Sequence, residues 1–250
     1  MQKKEIRHKL PNIFDNAASG KWNRSLIIVI DGPAGAGKST TAKEIARRTG
    51  FDYVDSGAIY RGFTYLYLLH DGDRSRLLKL LDDHDLRFDF HVTDARVFHG
   101  EREITEEIRS DRVNDRVSEV AVMAEVRDAV HQILRGESLG RNVVLEGRDL
   151  GTVVFPDADI KFFLTADPAA RARRRYDERI GKGEANISLD EVRKNVEKRD
   201  RIDSTRDIAP LKKADDAVEI DSTFLTFEEQ VTRILEYIRN TPVIKNVIKK

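Results

Sequence analysis

A chain of 250 residues with 40% hydrophobic content suits one α/β domain and carries ample material for a core. Its 44 Lys+Arg balance 44 Asp+Glu, so no net field draws it towards nucleic acid or a membrane surface. Without cysteine it has no disulfide and no thiolate metal site, and its longest apolar runs, about five residues, fall far short of a membrane span.

In chain order, residues 1–23 begin basic but lack the apolar stretch of a secretory signal, so residues 1–24 are expected to be a flexible extension. The five apolar residues 26–30 then read as a buried strand that runs straight into a glycine-rich turn, and a helix is expected over 38–49. Gly32-x4-Gly37-Lys38-Ser39 is the phosphate-loop pattern in its required setting, strand before and helix after. The loop Gly32, Pro33, Ala34, Gly35, Ala36, Gly37 brings backbone N–H groups together where a Cβ would obstruct, and the helix opening at Lys38, Ser39 and Thr40 aims its positive end at the same place. Lys38 can then reach the β- and γ-phosphates of a nucleoside triphosphate and the Ser39 hydroxyl can bind Mg²⁺.

Residues 51–54 read as a short strand and 58–70 as a helix, with a further short helix at 74–81. Three short strands, with turns at 93–94 and at Gly100, fill residues 86–104 as a small antiparallel insert, and polar helices with apolar faces occupy 106–135. The core resumes with strands at 142–146 and 160–164. Asp167 and Pro168 open a helix that ends at 181–183, and Ser188 with Glu191 forms a capping box for the next, to about 200. A last strand at 217–221 and a helix from the Thr226–Glu229 capping box to 239 complete a five-stranded, parallel, doubly wound sheet with helices on both faces. Residues 241–250 read as a basic tail.

The phosphate loop alone leaves NTPase, kinase, GTPase and transporter motor open. Ligands of such sheets gather beyond the strand C-terminal ends. Asp55, Ser56, Tyr60 and Arg61 follow the second core strand, and Arg148 and Asp149 follow the third. Arg61 and Arg148 there suit a second phosphate, because guanidinium forks bind phosphate in bidentate fashion. Arg171, Arg174, Arg175 and Arg179, with Arg199, Asp203 and Arg206 beyond the Gly181–Gly183 break, could form a hinged lid over the transferring phosphoryl group; the competing reading is a solvated helical hairpin. The six histidines show no metal-ligand spacing and read as structural or surface groups.

GPAGAGKST, DSGAIYRG, EGRDLGTVVFPDA (146–158) and RDRIDSTRDIAPL (199–211) together resemble the bacterial cytidylate kinase family, over roughly residues 25–239. The resemblance implies a nucleoside monophosphate kinase: ATP-dependent phosphorylation of CMP and dCMP, with Mg²⁺ on Ser39, by a cytoplasmic monomer of pyrimidine nucleotide metabolism that binds neither nucleic acid nor membrane. It divides residues 25–240 into a core (25–57 and 141–240), a monophosphate-binding region (58–140, with the insert 86–104) and a lid at about 171–206. It implies that Asp149 accepts from the cytosine N4 amino group while Arg127 and Ser118 donate to N3 and O2, and that Arg199 and Asp203 hold the sugar hydroxyls. Arg61, Arg148 and Arg206 would grip the acceptor phosphate beside Ser56 and Tyr60. Lys38, Arg148, Arg174, Arg175 and Arg206 form the implied catalytic set. Glu146 stands where some members have Asp, which keeps a role beside the metal open. A uridylate- or adenylate-type kinase and a non-catalytic nucleotide-binding regulator are the competing readings.

Overall fold

The apolar run before the phosphate loop becomes β1 (Ile27–Asp31), buried at every position after the first, and it lies at the centre of the sheet. The structure, a computed structural model, describes residues 25–81, 86–92, 94–181, 183–184, 187–242 and 244. The expected extension 1–24, most of the expected tail 241–250 and Thr93 of the expected turn lie outside the described residues.

After β1 come α1 (Lys38–Thr49), β2 (Asp52–Asp55), α2 (Ser56–Leu69) and α3 (Arg74–Leu80). A three-stranded antiparallel insert follows, β3 (Leu86–Phe90), β4 (Ala95–His99) and β5 (Arg102–Glu103). The expected helical stretch 106–135 divides into a 3-10 turn (Glu107–Arg109), α4 (Asp111–Val120) and α5 (Ala124–Ser138). The remaining elements are β6 (Val143–Gly147), a π-helical turn (Leu150–Val154), β7 (Ile160–Thr165), α6 (Pro168–Gly181), α7 (Leu189–Thr205), β8 (Val218–Asp221) and α8 (Phe227–Asn240).

The core strands run parallel in the order β2-β6-β1-β7-β8. Since β1 and β2 are not neighbours and the next crossover returns to β6, the direction of winding reverses after β2. Right-handed crossovers then place α1 with α8 on one face and α2 with α5 on the other, the pairs that pack together. Ile45, Ile234 and Ile238 are buried on the first side; Ile59, Leu66, Val126 and Val130 on the second.

Both expected capping boxes form: Ser188 and Thr226 each accept the N–H of the glutamate three residues on, whose carboxylate returns to the cap amide. α7 continues five residues past its expected end at 200, which carries Asp203 into the helix and leaves Arg206 as its C-terminal cap. Nothing in 201–205 breaks a helix, and the cap needs only the extended backbone of Arg206. The parallel sheet brings the ends of β1, β2 and β6 to one edge, with Asp55 in register with Glu146 and Asp31 with Gly147.

Candidate active site

Beyond β1 the chain turns through Gly32, Gly35 and Gly37, at φ of 152°, 76° and 88°. A Cβ on Gly32 would lie 2.0 Å from the Leu164 carbonyl oxygen of β7, so no other residue fits there. Among the described α-helices α1 alone begins with neither a side-chain cap nor an acidic residue in its first turn. Asp55, Asp73, Ser188 and Thr226 cap α2, α3, α7 and α8; Asp167 accepts the Ala169 N–H of α6; α4 and α5 carry Asp111 and Glu125. The first amides of α1 are therefore available to an anion that the chain does not itself supply.

Lys38, buried at the start of α1, donates to the Pro33 carbonyl at 2.8 Å. Burial, then the Arg148 charge, push its pKa down to about 7 against the opposing pull of Glu146, Asp203 and Asp31. The Ser39 hydroxyl donates to Glu146 Oε1 at 2.6 Å. A hydroxyl and a carboxylate side by side at the loop's end are hard oxygen ligands that suit Mg²⁺, which takes few protein ligands and keeps its waters. No group of three or more acidic or histidine residues elsewhere among the described residues forms a metal cluster.

From Lys38 and Ser39 a cavity of about 480 Å³ extends to Asp149. Seven arginines line it, among them four whose charges act on one another, Arg61, Arg148, Arg175 and Arg199. Arg61 donates to Asn114 Oδ1 at 3.1 Å and Arg148 to Asp203 Oδ2 at 2.9 Å, which fixes both forks. Burial and then the charges of Arg148, Arg61 and Arg175 depress Arg199 to about 9, and its Nε is buried without a partner. Like charges gathered this closely repel one another, a repulsion that an anion among them would relieve.

At the far end Asp149 is buried between two guanidinium groups: Arg206 Nη2 donates to Oδ1 at 3.1 Å, and Arg127 Nη2 donates to Oδ2. Burial alone would raise its pKa. His131 and the Arg127 and Arg206 charges together outweigh that and hold the carboxyl below its ordinary range. Tyr60 lies with its ring 5.8 Å from the Arg127 guanidinium, its hydroxyl buried and unpartnered. Ser118 lines the cavity; Ser56 also does, but its hydroxyl donates to the Glu146 carbonyl at 2.6 Å and ties α2 to β6.

The structure thus gathers Lys38, Ser39, Thr40, Ser56, Tyr60 and Arg61 with Ser118, Arg148, Asp149, Asp203 and Arg206 around one space. Arg127 stands behind Asp149, 1% exposed, and does not line the cavity. Arg174 does line it, yet its fork is committed to the hydroxyl and carbonyl of Ser222. The other arginines of α6 have separate partners. Arg171 is buried, donating to the Ala34 and Ala166 carbonyls, each at 2.9 Å, and pairing with Asp200 at 2.7 Å. Arg175 faces the cavity, and Arg179 holds Glu184.

Three contributors escaped the sequence. His131, read as structural or surface, lines the cavity 3.7 Å from Asp149 Oδ2; its i,i+4 spacing from Arg127 was the available signal. Arg109, which donates to the buried Asp55 carboxylate at 3.1 Å, carried none. Asp31, a buried carboxylate ending an otherwise apolar strand, accepts the Leu150 and Gly151 amides, and burial raises its pKa to about 6 despite those bonds.

A family model described as cytidylate kinase matches residues 28–240. A cytidylate kinase of Carboxydothermus hydrogenoformans is 43% identical over 214 residues, covering 84% of this chain and 96% of its own. One of Fusobacterium nucleatum is 44% identical over 214 residues, covering 86% and 97%. Among solved structures, a shikimate kinase of Bacteroides thetaiotaomicron superposes with a TM-score of 0.44 at 15% identity, covering 86% of this chain and 98% of its own.

Proposed function

The chain belongs to the cytidylate kinase family and phosphorylates CMP and dCMP; we propose that it does so by direct in-line transfer from ATP, with the cavity residues in the following roles. The observation that carries this assignment of roles is the continuity of one cavity from Lys38, through four arginines, to the doubly held carboxylate of Asp149.

The first amides of α1 and Lys38 bind the donor phosphates, and Ser39 with Glu146 holds the metal. Mg²⁺, when bound, supplies charge neutralisation at the transferring phosphoryl group. The second pKa of a phosphate monoester is about 6, so the acceptor oxygen is already ionised near neutrality and no general base is required. Arg61, Arg148, Arg199 and Arg206 orient that acceptor, and Asp203, which fixes the Arg148 fork, faces the sugar with Arg199. α6 and α7 act as a lid (about 171–206) that brings Arg175 to the transferring group; Arg174 joins it by releasing Ser222. Catalysis is then positioning and charge neutralisation throughout.

Asp149 accepts from the cytosine N4 amino group; uracil offers a carbonyl at that position and would leave two acceptors facing each other. Ser118 supplies a donor for N3 or O2, and Arg127, closed off behind Asp149 here, joins it by turning its fork from Asp149. The proposed setting is a cytoplasmic monomer of pyrimidine nucleotide metabolism. No helix among the described residues is long and apolar enough to cross a membrane.

The test is a coupled ADP-release assay with Mg-ATP and CMP, dCMP, UMP, AMP or dTMP, run beside Asp149→Ala. Turnover with CMP and dCMP that blurs towards UMP in the variant supports both reaction and base reading. A variant as selective as the parent removes Asp149 from that role.

A further inference from the structure

Asp149 occupies the N-cap position of the π-helical turn Leu150–Val154, yet its carboxylate makes no bond to the amides of that turn. An aspartate at such a position ordinarily folds back onto the N–H groups that follow it. Here two of them are taken by a residue from another strand. Asp31, the last residue of β1, accepts the Leu150 N–H on Oδ1 at 3.0 Å and the Gly151 N–H on Oδ2 at 2.7 Å. Asp31 is 4% exposed, and its place in the sheet is set by the pairing of β1 with β6.

The turn is held close as well as bonded. A Cβ on Gly151 would come within 3.4 Å of Asp31 Oδ2 and 3.3 Å of Val29 Cγ2, so the backbone at 151 lies directly against β1. With its own turn capped from outside, the Asp149 carboxylate points the other way. Its two oxygens meet Arg206 and Arg127 at the end of the cavity.

We infer that Asp31 is a positioning residue for substrate choice: by capping the turn in place of Asp149, it keeps that carboxylate aimed at the base. This rests on the base-reading role proposed for Asp149. Without Asp31 the Leu150 and Gly151 amides are orphaned, and Asp149, at the N-cap of their turn, is the residue placed to take one; a carboxylate that turns back to cap no longer faces the nucleobase. A residue that merely held the fold together would lower activity with every acceptor alike. Asp31 changes the choice between acceptors.

The experiment measures kcat/KM for CMP and for UMP in the full chain, Asp31→Asn, Asp149→Ala and the double variant, with far-UV circular dichroism and thermal melting as checks on folding. Asparagine at 31 keeps one acceptor but can set its amide N–H against that of Gly151. Asp31→Asn is expected to lower the CMP-over-UMP ratio about ten- to hundredfold, the weight of one hydrogen bond to a charged group. Asp149→Ala is expected to lower it comparably, and the double variant no further than Asp149→Ala alone, since one residue acts through the other. A ratio that Asp149→Ala destroys and Asp31→Asn preserves overturns this inference and leaves base reading intact. A ratio preserved by Asp149→Ala overturns both. Should Asp31→Asn fail to fold, Asp31→Ser, which keeps an acceptor for one amide, is expected to lower the ratio part-way; full retention there overturns the inference.

Discussion

Replacing Arg199 by methionine should make the protein more stable and a worse kinase. Arg199 is charged in a place that opposes charge: burial comes first, then Arg148, Arg61 and Arg175, and together they bring its pKa to about 9. Measured down from the ordinary arginine value, at about 1.4 kcal/mol per tenfold, the electrostatic penalty has a ceiling of about 5 kcal/mol. Solvent at the half-buried guanidinium screens much of it, leaving about 1–2 kcal/mol for Arg199→Met to recover, a rise of roughly 2–8 °C in Tm for a chain of this size. Methionine keeps most of the stem packing and abolishes the buried, unpartnered Nε. The sign can be checked with pH. The folded pKa lies below the unfolded one, so between them the unfolded chain binds more protons and the parent gains stability as pH rises through 9. The advantage of the variant is therefore full below pH 9 and fades above it. Urea titrations of both proteins at pH 7.5 and pH 10 measure the difference, and CMP titrations should show affinity lower by about ten- to hundredfold. A variant less stable than the parent at pH 7.5, or one that binds CMP as tightly, refutes the idea that the arginines wait for a dianion.

Lys38, near 7, should take up a proton when ATP phosphates relieve the Arg148 repulsion; calorimetry at pH 8 in two buffers of different ionisation heat should find close to one proton bound per ATP, and no uptake counts against Lys38 as the phosphate ligand. Gly32→Ala should lose more than about 3 kcal/mol in urea titration, because its Cβ meets a backbone oxygen of β7 that cannot move away; near-parental stability would mean the loop is freer than the contact implies. Ser39→Ala should raise the Mg²⁺ concentration for half-maximal rate several-fold with only a small change in Tm, since the side chain is small and its bond to Glu146 lies at the site; an unchanged Mg²⁺ dependence removes Ser39 from the metal site.

The centre of the sheet was legible in the sequence because β1 and β6 are buried on both faces and so read as apolar runs leading into glycine turns. The helix starts were legible for a local reason: Ser188 and Thr226 bond within four residues of themselves. The end of α7 was less so, since no residue type stops a helix at 205 and the extended backbone of Arg206 does it instead. The site divides in the same way. Lys38, Ser39 and the glycines belong to one continuous motif, and Asp149 and Arg148 adjoin a strand end. Asp31 and Arg109 act across long sequence separations, on amides and a carboxylate that only the pairing of strands brings near, and no spacing rule foretells that.

Arg171 bears on how the helical pair can move. Its guanidinium joins the Ala34 carbonyl of the phosphate loop to Asp200, near the C-terminal end of α7. α7 is thus a lever pinned near one end. Arg199 and Asp203 lie within three residues of that pin, so they stay tied to the phosphate loop when the rest of the helix moves. If α6 and α7 close as the proposed lid, the residues proposed to meet the sugar are those that shift least.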